Sequence, residues 1–170
     1  MANTPEDLSA FLHDLGIVTL TVSHPPLFTV EESRALRGEI AGAHTKNLFL
    51  KDKKGGLFLV VAREAASIDL KNLHKSIGAA SKLSFGNPDL LAETLGVTPG
   101  AVTPFGLIND REGRVNAILD KDLMASGQIN CHPLVNTATT TIAAADLLAF
   151  VRATGHEPKI VVLEESAPTT

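Results

Sequence analysis

Four consecutive polar side chains that can bind a substrate or take part in catalysis stand directly before a strand-like apolar run. They are His44, Thr45, Lys46 and Asn47, and the run that follows ends at Lys51. A glycine followed by a regular strand is a good way to hold such side chains in fixed positions. The alternative interpretation is an ordinary hairpin, because the turn after Lys51 is rich in lysine and charged turns are usually only solvated.

The loop from Gly100 to Pro104 is a second candidate. Its glycine lets the main chain approach a ligand closely, and its proline fixes the exit of the chain. Backbone N–H groups in such a turn can bind an anion or polarise a carbonyl group. The alternative is a plain connection between a helix and a strand.

Other familiar sites are absent from the sequence. There is no Gly-x-Gly-x-x-Gly motif, no Walker lysine loop and no Gly-x-Ser-x-Gly elbow. The six histidines have no metal-ligand spacing, and the single cysteine cannot form a cysteine-rich zinc site. Cys131 and His132 are neighbours on a strand-like segment, where their side chains point to opposite faces, so we expect no nucleophile–base pair. Cys131 is interpreted as a small buried side chain.

The composition of the chain is that of an ordinary globular protein. It has 170 residues, 44% of them apolar, and a net charge of −4. No apolar run reaches the roughly 20 residues that span a bilayer, the acidic N-terminus is not a secretory signal, and one cysteine fits a reducing compartment. We therefore expect a cytoplasmic protein without a membrane segment.

The charge is unevenly distributed along the chain. Between Lys46 and Lys82 there are eight Lys/Arg against three Asp/Glu, a local charge of +5, whereas the remainder of the chain is −9. If the fold gathers these bases on one face, they form an anion-binding field; alternatively they scatter over several elements. With no Trp or Tyr, extensive stacking on nucleic-acid bases is not expected.

Periodicity and capping residues predict the elements of secondary structure. The predicted helices begin at a Thr4–Pro5 cap, at Thr29 (to about Arg37), at Asp69 (to Gly78), at Asn87–Pro88 (to Gly96) and near Ala144 (to Gly155). The predicted strands are 17–22, 47–51, 57–62, 105–108, 115–119 and 159–163, with 47–51/57–62 and 105–108/115–119 as hairpins. Three further runs are short, strand-like or β-branched: 82–85, 128–132 and 137–142. Because helices and strands do not alternate strictly, this pattern indicates a mixed α/β (α+β) fold with about seven strands and not a regular parallel sheet. We expect one domain over residues 1–163 and a flexible tail over 164–170.

Three motifs in this order resemble the YbaK/prolyl-tRNA-synthetase-associated domain family, and most of all its free-standing, alanine-specific members. They are the segment from His44 to Asp52, the Gly100-x-x-x-Pro104 loop with the segment up to Asp110, and Asn130-Cys131-His132-Pro133-Leu134. The resemblance runs from His24 to His156. It implies a curved, largely antiparallel mixed sheet with flanking helices. One departure is Cys131, where relatives are expected to carry a bulky apolar residue.

The resemblance implies an activity and the residues that carry it. The activity is hydrolysis of alanine from mischarged alanyl-tRNA(Pro), with help from the tRNA 2′-hydroxyl and without a metal or an organic cofactor. The implied catalytic residues are Lys46, Asn47 and Gly100, with Asn47 supporting the substrate contact of Lys46. The implied substrate-binding residues are Phe28, His44, Thr45, Ala101, Val102, Thr103, Pro104 and His132. The lysines that face the tRNA would be Lys51, Lys53, Lys54, Lys75 and Lys82.

The implied partners are aminoacylated tRNA(Pro) and, as a further expectation, prolyl-tRNA synthetase. Two alternatives stay open on the sequence. One is a module that binds tRNA or the synthetase without hydrolysis. The other is a deacylase for a different mischarged amino acid.

Overall fold

The computed structural model describes residues 2–26 and 42–163, and eight strands of these residues form one sheet. The strands are β1 (Leu20–Ser23), β2 (Ala43–Lys51), β3 (Leu57–Arg63), β4 (Ser84–Phe85), β5 (Val115–Asp120), β6 (Gln128–Cys131), β7 (Ala138–Ala143) and β8 (Lys159–Val161). The helices are α1 (Pro5–Asp14), α2 (Leu73–Ile77), α3 (Pro88–Leu95), α4 (Lys121–Met124) and α5 (Ala144–Ala153). None of these helices is long and apolar enough to cross a membrane.

Strand β2 lies at the centre of the sheet and joins its two halves. The strand order is β1-β7-β6-β2-β3-β5-β8, and β4 pairs only with β2. The pairs β1–β7, β6–β7, β2–β3 and β2–β4 are antiparallel. The pairs β2–β6, β3–β5 and β5–β8 are parallel. This topology confirms the predicted mixed, mostly antiparallel sheet with helices.

Two apolar cores cover opposite faces of the β3 half of the sheet. Side chains alternate along β3, so Leu59 and Val61 enter the larger core while Val60 and Ala62 enter the smaller one. Helices α1, α3, α4 and α5 pack on the larger core, and α2 packs on the smaller one. Strand β3 is therefore buried on both faces.

The local helix signals are confirmed where they are strongest. At α1 the Thr4 hydroxyl accepts from the Asp7 N–H (3.1 Å), and the Asp7 carboxylate accepts from the Thr4 N–H (2.9 Å). At α3 the Asn87 side chain accepts from the Leu90 N–H (2.8 Å). These caps, reciprocal at α1 and single at α3, satisfy N–H groups that have no partner inside the helix, and this explains why both helices begin where predicted.

The predicted strand 105–108 is wrong, and with it the hairpin to 115–119. Residues Pro104–Asn109 form a 3₁₀ helix, and β5 pairs in parallel with β3 and β8. The Thr103 hydroxyl accepts from the Phe105 N–H (3.3 Å), so Thr103 and Pro104 act as a cap and a first helical residue. A side chain at Gly106 would lie 3.0 Å from Leu95 Cβ, so this turn packs closely against α3.

Several other boundaries differ from the sequence prediction. Helix α2 begins at Leu73 and not at Asp69, because the cap residue Asn72 makes no side-chain cap bond and only the end at Gly78 is strongly marked. Helix α4 was not predicted, since one turn carries too little periodicity. Strands β1 and β8 are shorter than predicted. The predicted helix 29–37 and the tail 164–170 lie outside the described residues.

Candidate active site

Part of one edge of β2 has no partner strand among the described residues, beside the polar residues that the sequence singled out. Strand β6 pairs with β2 only at Ala43 and His44, and β4 joins the same side only at Leu50 and Lys51, next to a hydrogen bond from the Gly86 N–H to the Phe49 carbonyl (2.9 Å). Along residues 45–48, no strand within ranges 2–26 and 42–163 pairs with this side of β2. We call this gap the notch. A ligand can approach the main chain of a strand there.

The main chain of Asn47 is directed into the notch. The His44 carbonyl accepts from the Glu64 N–H (2.8 Å), and the Asp52 N–H donates to the Gly56 carbonyl (3.0 Å). An antiparallel ladder alternates, so the even-numbered residues of β2 direct their N–H and C=O groups to β3. Asn47 therefore directs its own N–H and C=O away from β3, where each can serve a bound molecule.

Lys46 lies on the face of β2 that carries the smaller core. It is opposite Ala62, which belongs to that core, and its Nζ donates to the Ala66 carbonyl oxygen. Lys46 is half-buried, and among the described residues its ammonium group donates to this main-chain acceptor and forms no salt bridge. A carbonyl is a neutral acceptor, and an incoming phosphate or carboxylate oxygen would make a stronger, charge-assisted bond.

Thr45 and Asn47 lie on the other face of β2. The Thr45 hydroxyl donates to the Asn130 carbonyl (2.9 Å), and Asn47 Nδ2 donates to Thr45 Oγ1 (3.3 Å). Asn47 Oδ1 is buried and makes no hydrogen bond within the described part of the chain. Strand alternation therefore separates the side chains of Lys46 and Asn47. The expectation that Asn47 supports the substrate contact of Lys46 through its side chain does not fit this geometry.

His44 lies on the same face as Lys46 and is paired with Asn130 of β6. Its Nε2 is buried and lacks a hydrogen-bond partner in the residues that the structure describes. A buried polar atom without a partner costs about 1–3 kcal/mol. Such an atom is a reasonable contact for a ligand in the notch.

His132 follows the end of β6, and its hydrogen bond fixes its tautomer. Its Nδ1 lies 3.2 Å from the Ala138 carbonyl oxygen. A carbonyl only accepts, so Nδ1 carries the proton and Nε2 presents a lone pair. Burial lowers the pKa of His132 and outweighs the opposing hydrogen bond, and nearby His24 lowers it further. His132 is thus a neutral acceptor.

Cys131 lies on the opposite face from His132 and is buried in the larger core. Burial raises the pKa of its thiol to about 12, against a smaller opposing effect of the Thr45 hydroxyl. The thiol is therefore neutral and not a nucleophile. This confirms its interpretation as a small buried side chain.

The Gly100 loop stands next to the turn that follows His132. Residues Pro99–Ala101 form one 3₁₀ turn, and a side chain at Gly100 would lie 3.3 Å from Asn136 Nδ2. Two residues before Asn136, the buried Leu134 adopts a φ of 70°, a conformation that leucine rarely takes. Packing therefore holds this turn against the loop.

The predicted residues of the loop differ in what they can contact. Ala101, Thr103 and Pro104 are buried and shape the loop from within. The Ala101 N–H donates to the Thr98 carbonyl (2.9 Å) and is not free for an ester carbonyl. Gly100 is exposed and Val102 half-buried, so these two are the loop residues that a substrate can reach.

The lysines predicted to face the tRNA lie at the far end of β2, at the turn that follows it, beside β4 and on α2. Lys53 and Lys54 are exposed at the β2–β3 turn, which Asp52 ties to the segment before β4. The Asp52 carboxylate accepts from the N–H groups of Gly56 (2.7 Å), Lys54 (2.9 Å) and Ala80 (3.2 Å). These hydrogen bonds, the one from Gly56 first, lower the pKa of Asp52.

This turn is separated from Lys46 by most of the length of β2. Six residues of strand from Lys46 to Asp52 span about 20 Å. Lys82 is exposed beside the turn, Lys75 is exposed on α2, and Lys51 is half-buried at the end of β2. Phe28, the remaining predicted substrate contact, lies outside the described residues.

Sequence reasoning missed two residues near His132. They are His24, just past β1, and Thr139 on β7, whose side chains are joined by a 2.9 Å hydrogen bond. His24 stands at the start of the segment that carried the family resemblance, but only the pairing of β1 with β7 places it here.

Comparison with known proteins identifies the class. Residues 24–150 match the aminoacyl-tRNA editing domain. The chain belongs to this family, and it is therefore an enzyme of the aminoacyl-tRNA hydrolase class.

Individual relatives and a solved structure show which proteins of this family the chain is similar to. The chain is 43% identical over 158 residues to prolyl-tRNA synthetase associated domain-containing protein 1 of Danio rerio, covering 92% of this chain and 85% of the relative. It is 39% identical over 155 residues to the prolyl-tRNA editing protein ProX of Acetoanaerobium sticklandii, covering 91% and 94%. A solved structure of a candidate trans-editing enzyme for prolyl-tRNA synthetase has the same fold, with a TM-score of 0.73 at 21% identity over 98% of this chain and 99% of that one.

Proposed function

We propose that this chain hydrolyses the ester that joins alanine to the 3′ end of tRNA(Pro). A synthetase pocket that admits proline cannot exclude the smaller alanine sterically, and lost apolar contacts discriminate by only about 10–200-fold. A second site that accepts alanine and rejects proline corrects this error. The observation that best supports the proposal is the notch, because Lys46 on β2 and His132 just past the paired strand β6 lie on one face of the sheet, in a chain of the editing family.

Each side of the notch has a separate task in this proposal. Lys46 exchanges its carbonyl partner for the terminal phosphate or ribose of the tRNA, which fixes the position of the ester. The main-chain N–H of Asn47 and the Gly100 loop donate to the ester carbonyl as negative charge develops on it. His132 Nε2 accepts a hydrogen bond in the amino-acid pocket.

The reaction needs no nucleophile from the protein. Water adds to the carbonyl carbon, the bond between that carbon and the ribose oxygen breaks, and the ribose oxygen takes up a proton. The neighbouring tRNA 2′-hydroxyl assists the attack of water, and the protein contributes position and electrostatics. Prolyl-tRNA synthetase is a candidate partner, and the cytoplasm, where tRNA is charged, is the expected location.

A turnover assay tests this function. Purified protein in substoichiometric amount should release alanine from alanyl-tRNA(Pro) over many cycles and leave prolyl-tRNA(Pro) intact. Protection of the ester without release would show a binding module instead. A panel of tRNA(Pro) charged with cysteine, serine or 2-aminobutyrate separates the remaining alternative, since faster release of one of these would reassign the amino acid.

A further inference from the structure

His24 holds strand β7 on both sides of the carbonyl that orients His132. Its main-chain N–H donates to the Thr137 carbonyl (2.8 Å), and its Nε2 lies 2.9 Å from Thr139 Oγ1. Ala138 stands between these two contacts, and its carbonyl oxygen accepts from His132 Nδ1. A shift of β7 at this point would therefore turn the ring of His132.

The ring of His24 is itself fixed. Its Nδ1 lies 2.9 Å from the Pro25 carbonyl oxygen, so Nδ1 carries a proton. In the neutral ring, Nε2 then accepts from the Thr139 hydroxyl. The ring has no remaining nitrogen for a substrate, which argues for a positioning role and not a catalytic one.

The side chains of His24, Thr139 and His132 share one face of the sheet. Val22 lies opposite Thr139, and His24, two residues after Val22, points to the same face as Val22. Cys131 lies opposite Thr140, so the next pair, His132 and Thr139, shares the other face of these two strands. Among the described residues, the titratable groups on this face of β1, β2, β6, β7 and the residues just beyond them are His24, His44, Lys46, His132 and, at the far end of β2, Asp52. Of these, His24 acts electrostatically on His132.

We propose that His24, through Thr139, is a positioning residue that holds His132 in one orientation and one tautomer, with Nε2 open to the aminoacyl group. The proposal rests on the proposed function for what His132 contacts. It goes beyond that function by assigning a role to two residues outside the notch. Groups that hydrogen-bond the second nitrogen of a metal-bound histidine contribute about 10–100-fold to affinity or activity, and His24 acts one contact further from the ring of His132.

Four variants separate the effect of the hydrogen bond between the His24 side chain and Thr139 from the effect of the charge of His24. His24→Ala removes the side-chain bond and the charge but keeps the main-chain bond to Thr137, and His24→Gln keeps an acceptor for Thr139 but removes the charge. Thr139→Val removes this hydrogen bond and keeps the histidine, whereas Thr139→Ser keeps the hydroxyl that makes the bond. Thr21→Val is the matched control, because the 2.8 Å contact of Thr21 with Thr140 is a neighbouring β1–β7 side-chain bond that does not involve His24.

Steady-state kinetics with alanyl-tRNA(Pro) should show a loss in kcat for His24→Ala of about tenfold with little change in KM. Thr139→Val should show a smaller loss, while Thr139→Ser and Thr21→Val should match the wild type. Because His24 disfavours protonation of His132, both His24 variants should move the acid limb of the pH–rate profile to higher pH. Equal losses for Thr21→Val and His24→Ala would overturn the proposal.

Nitrogen-15 NMR of the His132 ring in the free protein gives a readout without substrate. The wild type should show the Nδ1–H form alone, and His24→Ala should show a mixture of tautomers or a raised midpoint of titration. An unchanged His132 spectrum in His24→Ala would overturn the proposal. If the wild type hydrolyses no alanyl-tRNA(Pro), the proposed function fails, but the spectrum still decides whether His24 orients His132.

Discussion

On one face of the sheet, the β3 half buries apolar side chains and the β6 half buries polar ones. On the β3 side, the face that carries Lys46 continues into the apolar side chains of Ala62, Val60 and Ile118. On the β6 side, it continues into Asn130 and Thr141, whose side chains are hydrogen-bonded to each other at 2.5 Å. Lys46 and the notch lie at the boundary between the two halves.

Because of this difference, we expect the apolar half to contribute most to stability and the polar half most to activity. The apolar half buries hydrocarbon on both faces of β3, which is the main source of folding free energy. The polar half needs a partner for every buried donor and acceptor and contributes less to stability. It can instead hold histidines and main-chain groups in fixed positions. Substitutions in the first half should change stability, and substitutions in the second should change activity.

The largest effect is expected from Leu59→Ala in the apolar half. Leu59 is completely buried on β3, so the cavity should lower the free energy of unfolding by about 2–5 kcal/mol. Urea unfolding followed by circular dichroism measures this change, and the remaining folded protein should keep its kcat. A loss below about 1 kcal/mol would contradict the assignment of β3 as the centre of the core.

Lys46→Ala should lower activity and leave stability nearly unchanged, the reverse of Leu59→Ala. Activity in the alanyl-tRNA(Pro) assay should fall by about 100-fold or more, since a preorganised electrostatic contact is lost. The free energy of unfolding should change by no more than about 1 kcal/mol, because only one hydrogen bond to a carbonyl is removed. Lys121→Ala, an exposed lysine at the start of α4, is the matched control. Unchanged activity in Lys46→Ala would remove this lysine from the site.

The turn lysines should have a smaller effect that depends on salt. Replacing both Lys53 and Lys54 by alanine should weaken tRNA binding by a few fold, and each lost phosphate contact should reduce the slope of log Kd against log salt by about one. Binding measured at several salt concentrations tests this, with kcat expected to stay unchanged. An unaltered slope would place the turn outside the tRNA interface.

Asp120→Asn should give the smallest change. Burial raises the pKa of Asp120 above its ordinary value, more than the Leu163 N–H hydrogen bond lowers it. The folded state therefore binds a proton more tightly than the unfolded state, and stability falls as pH rises through this window. A neutral amide avoids this loss, so the variant should gain stability at pH 7 relative to the wild type, and less at pH 4. Thermal unfolding at the two pH values measures it; destabilisation at both would contradict the assignment.

The parts of the fold set by nearby residues were predictable. The caps at Thr4 and Asn87 and the β2–β3 hairpin follow from chemistry within a few positions, and all three are confirmed. The segment Phe105–Ile108 failed because its residues suit a strand, whereas Thr103, Pro104 and close packing on Leu95 favour a 3₁₀ turn. There, tertiary contact outweighed local preference.

The sequence names candidate members of the site, which stay predictions, but it does not give their arrangement. Lys46 and Asn47 are neighbours in the sequence, yet the period of two along a strand places their side chains on opposite faces. The notch arises from parallel pairing of β2 with β6, which are more than 80 residues apart at His44 and Asn130. His24 likewise meets His132 only through a third strand. No local pattern encodes such contacts.

The alternation along β2 also limits how the chain can change in length. A deletion of one residue between Gly42 and Lys46 would move every following side chain of β2 to the other face. Lys46 would then point towards the larger core, and Thr45 would lose the Asn130 carbonyl. Insertions in the turn between Asp52 and Gly56 leave this register untouched, because they fall after the last paired residue of the strand. A change in the length of the turn would therefore disturb the Asp52 hydrogen bonds but leave Lys46 on its face, whereas a change of one residue before Lys46 would move it to the other face.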